Sequence, residues 1–204
     1  MEFGKIPNVD HVDWTLPQDD PISIKFLNQK TLRKLEIYFG TPAWAHKEWI
    51  GKIYPPKTKP ADFLFHYSRF YSTIELNTTH YRIPTTDQTQ KWREKVPTSF
   101  RFCPKIYQGI SHGRNGLLDK DLLKEWLKFI EELSENRGPS FLQLPPYFEY
   151  HAKGELFEFL KRWPDEFPLS IEFRHPSWFQ DGRILPALTQ YLQGRNLGLV
   201  MTDV

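Results

Sequence analysis

The chain has 204 residues, 39 % hydrophobic and 25 % charged, which is enough for one sizeable globular domain and outside the disordered range. A net charge of +2 with histidines neutral carries no basic signature of a nucleic-acid binder, although a local patch can be contained within that total. The single cysteine, Cys103, excludes an internal disulfide and a cysteine-built zinc site, and predicts a reducing, cytoplasmic location.

Residues 1–34 are polar and irregular, with Pro7, Pro17 and Pro21. They read as an N-terminal extension in which residues 22–32 form a short helix, and residues 35–204 read as the domain. Met1 to Pro7 contain no apolar run, so no signal peptide is expected. No stretch approaches the roughly 18 apolar residues of a membrane span, so no membrane partner is expected.

From residue 35 onwards β-rich runs alternate with helical ones. Strands are predicted at 35–40, 72–77, 99–105, 140–144, 169–174 and 197–203. Helices are predicted at 60–71, 86–95, 119–136, 152–163 and 182–194. The clearest is 119–136, where Leu122, Leu123, Trp126, Leu127, Ile130 and Leu133 recur at helical spacing on one face. Strand alternating with helix predicts βα units and a parallel sheet.

Two parallel architectures compete, the open doubly wound sheet and the closed barrel. Gly40-Thr41-Pro42-Ala43-Trp44 lacks the glycines of a dinucleotide fingerprint, which removes the commonest reason for the open sheet. Side chains alternate faces along a strand. One face therefore collects Ile74, Leu76, Phe102, Leu142, Leu144, Ile171 and Phe173, and the other Glu75, Asn77, Arg101, Cys103, Lys105, Gln143, Glu172 and Arg174. A sheet covered by helices on both faces would be apolar throughout. One apolar and one polar face predicts a parallel β/α (TIM-like) barrel with helices outside and an unusually polar lining. A full barrel has eight strands, and six are read here. The chain ends at Met201-Thr202-Asp203-Val204 inside a predicted strand, so the barrel is expected to be C-terminally truncated, with exposed sheet edges that favour self-association.

Five segments, from about residue 36 to the end, carry a family resemblance. They are Gly40-Thr41-Pro42-Ala43-Trp44 with Trp49, Gly51 and Tyr54-Pro55; Phe70 to Pro84, containing Ile74-Glu75-Leu76-Asn77-Thr78-Thr79-His80-Tyr81-Arg82; and Phe100-Arg101-Phe102-Cys103-Pro104-Lys105 with Ile110-Ser111-His112. After these come Gly138-Pro139-Ser140-Phe141-Leu142-Gln143-Leu144-Pro145-Pro146 and Glu172-Phe173-Arg174-His175-Pro176-Ser177-Trp178-Phe179. In this order they resemble the YecE-like family (domain of unknown function 72). The resemblance implies a TIM-like barrel and implies no particular reaction. The family commonly has Ser-Gly where this chain has Pro42-Ala43, and it continues past the Asp203 region into two further strands.

Active sites of such barrels lie at the C-terminal ends of the strands. Glu75 and Asn77 end the second predicted strand, Lys105 the third with His112 beyond it, Gln143 the fourth, Glu172, Arg174 and His175 the fifth, and Asp203 the sixth. Glu75, Glu172 and Asp203 are acid/base candidates, because paired carboxylates can divide acid and base roles. Their structural alternative is neutralisation of Arg101, Lys105 and Arg174, since unpaired buried charge is costly. Lys105, His112 and Arg174 would position a phosphate or carboxylate, and Asn77 and Gln143 would orient it. Trp44 and Trp178 would border the site, stacking on a ligand or capping the opening. His112 and His175 are of the residue type to ligate a metal beside Glu75 and Glu172, but neither His-x-His nor His-Glu-x-x-His spacing occurs, so no metal is assigned and no cofactor is named. His175, before Pro176, could simply shape its loop, and His80 could be a packed surface residue. Ser111 beside His112 lacks a Gly-x-Ser-x-Gly elbow, and neighbours in a loop rarely face each other, so it is not carried as a nucleophile. The reading is an enzyme acting on an anionic, sugar- or nucleotide-type ligand. The alternative is a nucleic-acid or ligand-binding module, which a steep salt dependence of binding would reveal.

Overall fold

The computed structural model describes residues 10, 13, 15, 18, 36–180 and 183–202. The chain divides into two compact units, Met1–Ile37 and Tyr38–Val204. The helix predicted at 22–32 and the candidate Asp203 lie outside the described residues.

The second unit alternates as its periodicity predicts. In chain order it contains α1 (Phe63–Phe70), β1 (Thr73–Leu76), α2 (Thr86–Arg93), β2 (Arg101–Pro104), the short α3 (Gln108–Ser111), α4 (Lys120–Glu132), β3 (Ser140–Gln143), α5 (Lys153–Arg162), β4 (Leu169–Glu172), β5 (Phe179–Gln180), β6 (Arg183–Ile184), α6 (Pro186–Gly194) and β7 (Gly198–Leu199). Two of the helices, α2 after Thr85 and α4 after Asp119, start on a side-chain cap. The Asp119 carboxylate accepts from the backbone N–H groups of Asp121 and Leu122 at 3.0 Å, and α4 follows. Its inner face is Leu123, Trp126, Phe129 and Ile130, all buried, while Leu122 and Leu127 pack at the margin.

β1 pairs with β2, and β3 with β4 and β4 with β7, all in parallel. Bridges Phe102 to Arg137 and Lys105 to Phe141 join β2 to β3. The neighbour order of these strands therefore follows the chain. The first predicted strand is not regular, yet its end lies alongside β1: the Phe39 carbonyl accepts from Ser72 and Thr73, and that of Thr41 from Glu75. Gly40 permits this approach, because a Cβ there would sit 2.1 Å from the Thr73 carbonyl oxygen. This is an α/β fold with parallel strands. The described strands close no barrel.

The two faces separate as strand parity requires. Ile74, Leu76, Phe102, Leu142, Leu144, Ile171 and Phe173 are buried in one core with Leu64 and Tyr67 of α1, Trp126 and Ile130 of α4, Leu156 and Leu160 of α5 and Leu188 of α6. Of the polar face only Glu172 is fully buried; Cys103, Lys105 and Gln143 are half-buried and Glu75 and Arg174 exposed. Phe141 shares that face with Gln143. β5 and β6 form an antiparallel hairpin that the sequence reading missed, where a helix was expected to begin at residue 182. Two-residue strands are too short to show periodicity.

Candidate functional site

The C-terminal ends of β1 to β4 bring polar side chains from separate βα units together; we call this region the mouth. Register does the work. Gln143 stands opposite Glu172 in the β3–β4 ladder, and Glu75 opposite Cys103 in β1–β2. Lys105 lies one residue beyond β2, and Arg174 two beyond β4.

Glu172 is the best-held group. Gln143 Nε2 lies 3.0 and 2.8 Å from its two carboxylate oxygens, so the amide N–H groups donate and the side-chain orientation of Gln143 is determined. Arg174 Nε is 3.7 Å from Glu172 Oε1, an ion pair too long for a hydrogen bond, and the guanidinium is substantially exposed. Glu75 accepts from Asn77 Nδ2 at 2.9 Å. Lys105 is held below the usual lysine range, first by burial and further by Arg174, while Glu172 and Glu75 oppose the shift. Its Nζ stands 5.8 Å from the Phe141 ring centre. Among the described residues, no hydrogen bond or ion pair engages this ammonium.

Two histidines meet beside it. A turn of 3-10 helix, Asn77–His80, follows β1 and is tied to the extension of β2. Thr79 Oγ1 lies 2.7 Å from the carbonyl oxygens of both Leu76 and Lys105 and shares its proton between them. His80 Nδ1 lies 3.0 Å from the Ile106 carbonyl oxygen. His112, at the end of α3, stands edge-to-face with His80, ring centres 5.1 Å apart and planes at 79°. Burial is the main cause that holds both rings below the usual imidazole range, and Lys105 adds to it; Arg174 acts on His112 in the same direction. Ser111 Oγ is 2.7 Å from His112 Nδ1, so the neighbours do face each other, contrary to expectation, because α3 ends there and turns the His112 ring back. Burial raises the Cys103 thiol above its ordinary range, which leaves it a poor nucleophile.

Glu75, Lys105, His112, Gln143, Glu172 and Arg174 thus share one neighbourhood, with Asn77 bound to Glu75. Arg101 does not join them: it starts β2 and donates to the carbonyls of Thr98 and Phe100 at the opposite end. His175 shapes its loop, its Nδ1 accepting from the Ser177 backbone N–H at 3.2 Å and lying 2.8 Å from the Ser177 hydroxyl. The two tryptophans expected at the border are both packed into the protein. Trp178 is fully buried against Phe148, Tyr150 and Phe173, with its indole N–H donated to the Phe148 carbonyl, and it presents no ring face to a ligand. Trp44 is half-buried and packs edge-on to Trp92 of α2. The exposed rings near the histidines are instead Tyr81, edge-on to His80, and Tyr147, whose hydroxyl reaches the His112 carbonyl at 3.5 Å. In the sequence, His80, Tyr81 and Tyr147 are marked only by their position just after predicted strands or in the loops beyond them. Among the described residues, no group of three or more His, Cys, Asp or Glu side chains is arranged to hold a metal ion, and no helix is long and apolar enough to cross a membrane.

Comparison with known proteins places this geometry in a family. Residues 38–204 match the family model described as "Protein of unknown function DUF72". The UPF0759 protein YecE of Escherichia coli strain K12 is 33 % identical over 167 residues, covering 82 % of this chain and 59 % of that protein. The UPF0759 protein YunF of Bacillus subtilis strain 168 is 29 % identical over 150 residues, covering 70 % and 52 % respectively. The chain thus spans between half and six-tenths of the length of these relatives. Two solved structures share the fold. A DUF72 family protein from Thermotoga maritima MSB8 aligns with a TM-score of 0.63 at 25 % identity, covering 81 % of this chain and 64 % of that one. One from Enterococcus faecalis V583 aligns with a TM-score of 0.65 at 23 % identity, covering 80 % and 60 %. The chain belongs to the DUF72 family.

Proposed function

We propose that the mouth binds a small anionic ligand of sugar or nucleotide type, at the C-terminal ends of the strands of a TIM-like barrel. The chain-ordered parallel strands and the polar inner parity support the barrel reading. One observation carries the ligand reading: Lys105 is half-buried and loses hydration, yet among the described residues its ammonium has neither hydrogen bond nor ion pair, because the nearby Glu172 is bound by Gln143. Glu172 and Glu75 act on it only through space, and partly desolvated charge is costly without a directly bonded partner. An arriving anion supplies one. Arg174, held among the described residues only by a long contact, can turn its fork towards the same anion. Tyr81 and Tyr147 offer exposed rings to the organic part of the ligand. Glu172 has both oxygens occupied and serves as an orienting group. Glu75, exposed and among the described residues bound by Asn77 alone, is the carboxylate placed for proton transfer if the ligand reacts.

A thermal-shift series with inorganic phosphate, sulfate, sugar phosphates and nucleotides tests this on the wild type and on Lys105→Met. Stabilisation of the wild type by one of these anions, lost in the variant, is the expected result. Equal stabilisation of both proteins, or none in either, would sink the reading.

A further inference from the structure

We propose that His80 and His112 make the mouth a proton-coupled site for a dianionic tetrahedral oxyanion, the class of a phosphate monoester or sulfate, which enters together with a proton taken up by the pair. This rests on the anion reading above.

The tautomer of His80 follows from its partner. The Ile106 carbonyl only accepts, so His80 Nδ1 carries a proton, and in the neutral ring Nε2 holds a free lone pair. The Nδ1 of His112 is engaged by the Ser111 hydroxyl, which leaves its Nε2 as the second available nitrogen. The rings lie close enough that charge on one disfavours charge on the other, so they titrate as a coupled unit and a single added proton serves both.

The surrounding charge decides what that proton is for. Lys105, one residue beyond β2, disfavours charge on both rings through its own positive charge, and Arg174, beyond β4, does the same to His112. Glu172 and Glu75 act on Lys105 from β4 and β1. Two cations and two carboxylates cancel, so the fixed groups alone offer a dianion no net attraction. Between about pH 5 and 8 an unperturbed side chain that changes charge is histidine, and these two stand at the mouth. Empty, the pair is kept neutral by burial and by Lys105. An oxyanion reverses that balance, because it stabilises the imidazolium and receives its N–H. The atoms balance simply: solvent supplies the proton, Nε2 accepts it, and no covalent bond to the ligand forms.

The test uses sulfate, whose own charge does not change in the range studied. Calorimetric titration of the whole chain at pH 6.5, in two buffers of different ionisation enthalpy, counts the protons taken up, and Kd is followed from pH 8 to pH 5.5. We expect net uptake, with binding tightening towards about tenfold per pH unit within that window. The double variant H80N/H112N should take up no proton and show a Kd independent of pH; H80N retains an N–H for the Ile106 carbonyl. Sulfate binding by the wild type without proton uptake would overturn this inference and leave the anion site standing. Uptake unchanged in the double variant would overturn it as well. Failure of sulfate to bind at every pH would overturn this inference, and the anion reading falls with it only where the phosphates and nucleotides of the thermal-shift series also fail to bind.

Discussion

Gln143 holds Glu172 by both carboxylate oxygens, at 3.0 and 2.8 Å, across the β3–β4 ladder. A neutral amide, not an arginine, therefore satisfies the one fully buried acid of the polar face. Gln143→Met would strip those bonds from a buried carboxylate. Hydrogen bonds to charged groups contribute about 1.5–3 kcal/mol, and a loss of that size in denaturant unfolding is expected.

Arg174→Met should behave differently. Among the described residues the guanidinium makes only a 3.7 Å contact with Glu172, and it is exposed, so its removal should cost within about 1 kcal/mol. A loss of about 3–5 kcal/mol, typical of breaking a buried pair, would instead show that Arg174 is structural. Anion affinity, measured by calorimetry on the same variant, should fall while the melting temperature hardly moves.

Stability should depend on pH through His80 and His112. Both have folded-state pKa values below the ordinary 6.5. As pH falls through 6.5 the unfolded chain takes up protons that the folded protein refuses. Stability is thus complete above 6.5 and declines below it, until pH drops under the folded values. Unfolding in urea at pH 7.5 and 5.5 measures the decline, and H80N/H112N should reduce it. A flat profile in the wild type would contradict the half-buried, neutral state of the pair.

The margins of the sheet carry exposed apolar groups: Phe39 beside β1 is 70 % exposed, and Met201 after β7 is 92 % exposed. Among the described residues β7 pairs with β4 alone. Open edges recruit further strands. The chain is expected to self-associate with rising concentration, and Phe39→Lys to weaken that association. Light scattering after size exclusion checks both, and a monodisperse wild-type monomer at high concentration would count against the edge argument.

Strand parity was legible before any coordinates, because side chains alternate with period two and burial follows chemistry. Ile74, Phe102 and Ile171 had to go to the core, and Glu75 and Glu172 to the other face. The helix over 119–136 was legible for the same reason at its own period. What only the tertiary structure decided is which of the polar groups meet. Gln143 reaches Glu172 because the β3–β4 register sets them opposite, and nothing local in either strand specifies that register. His80 stands on His112 because Thr79 and His80 tie the turn after β1 to the carbonyls that follow β2. Trp178 and Tyr147 both sit in loops near the mouth, yet one is buried and the other open. Composition treats two such rings alike; the packing of Phe148, Tyr150 and Phe173 around Trp178 separates them.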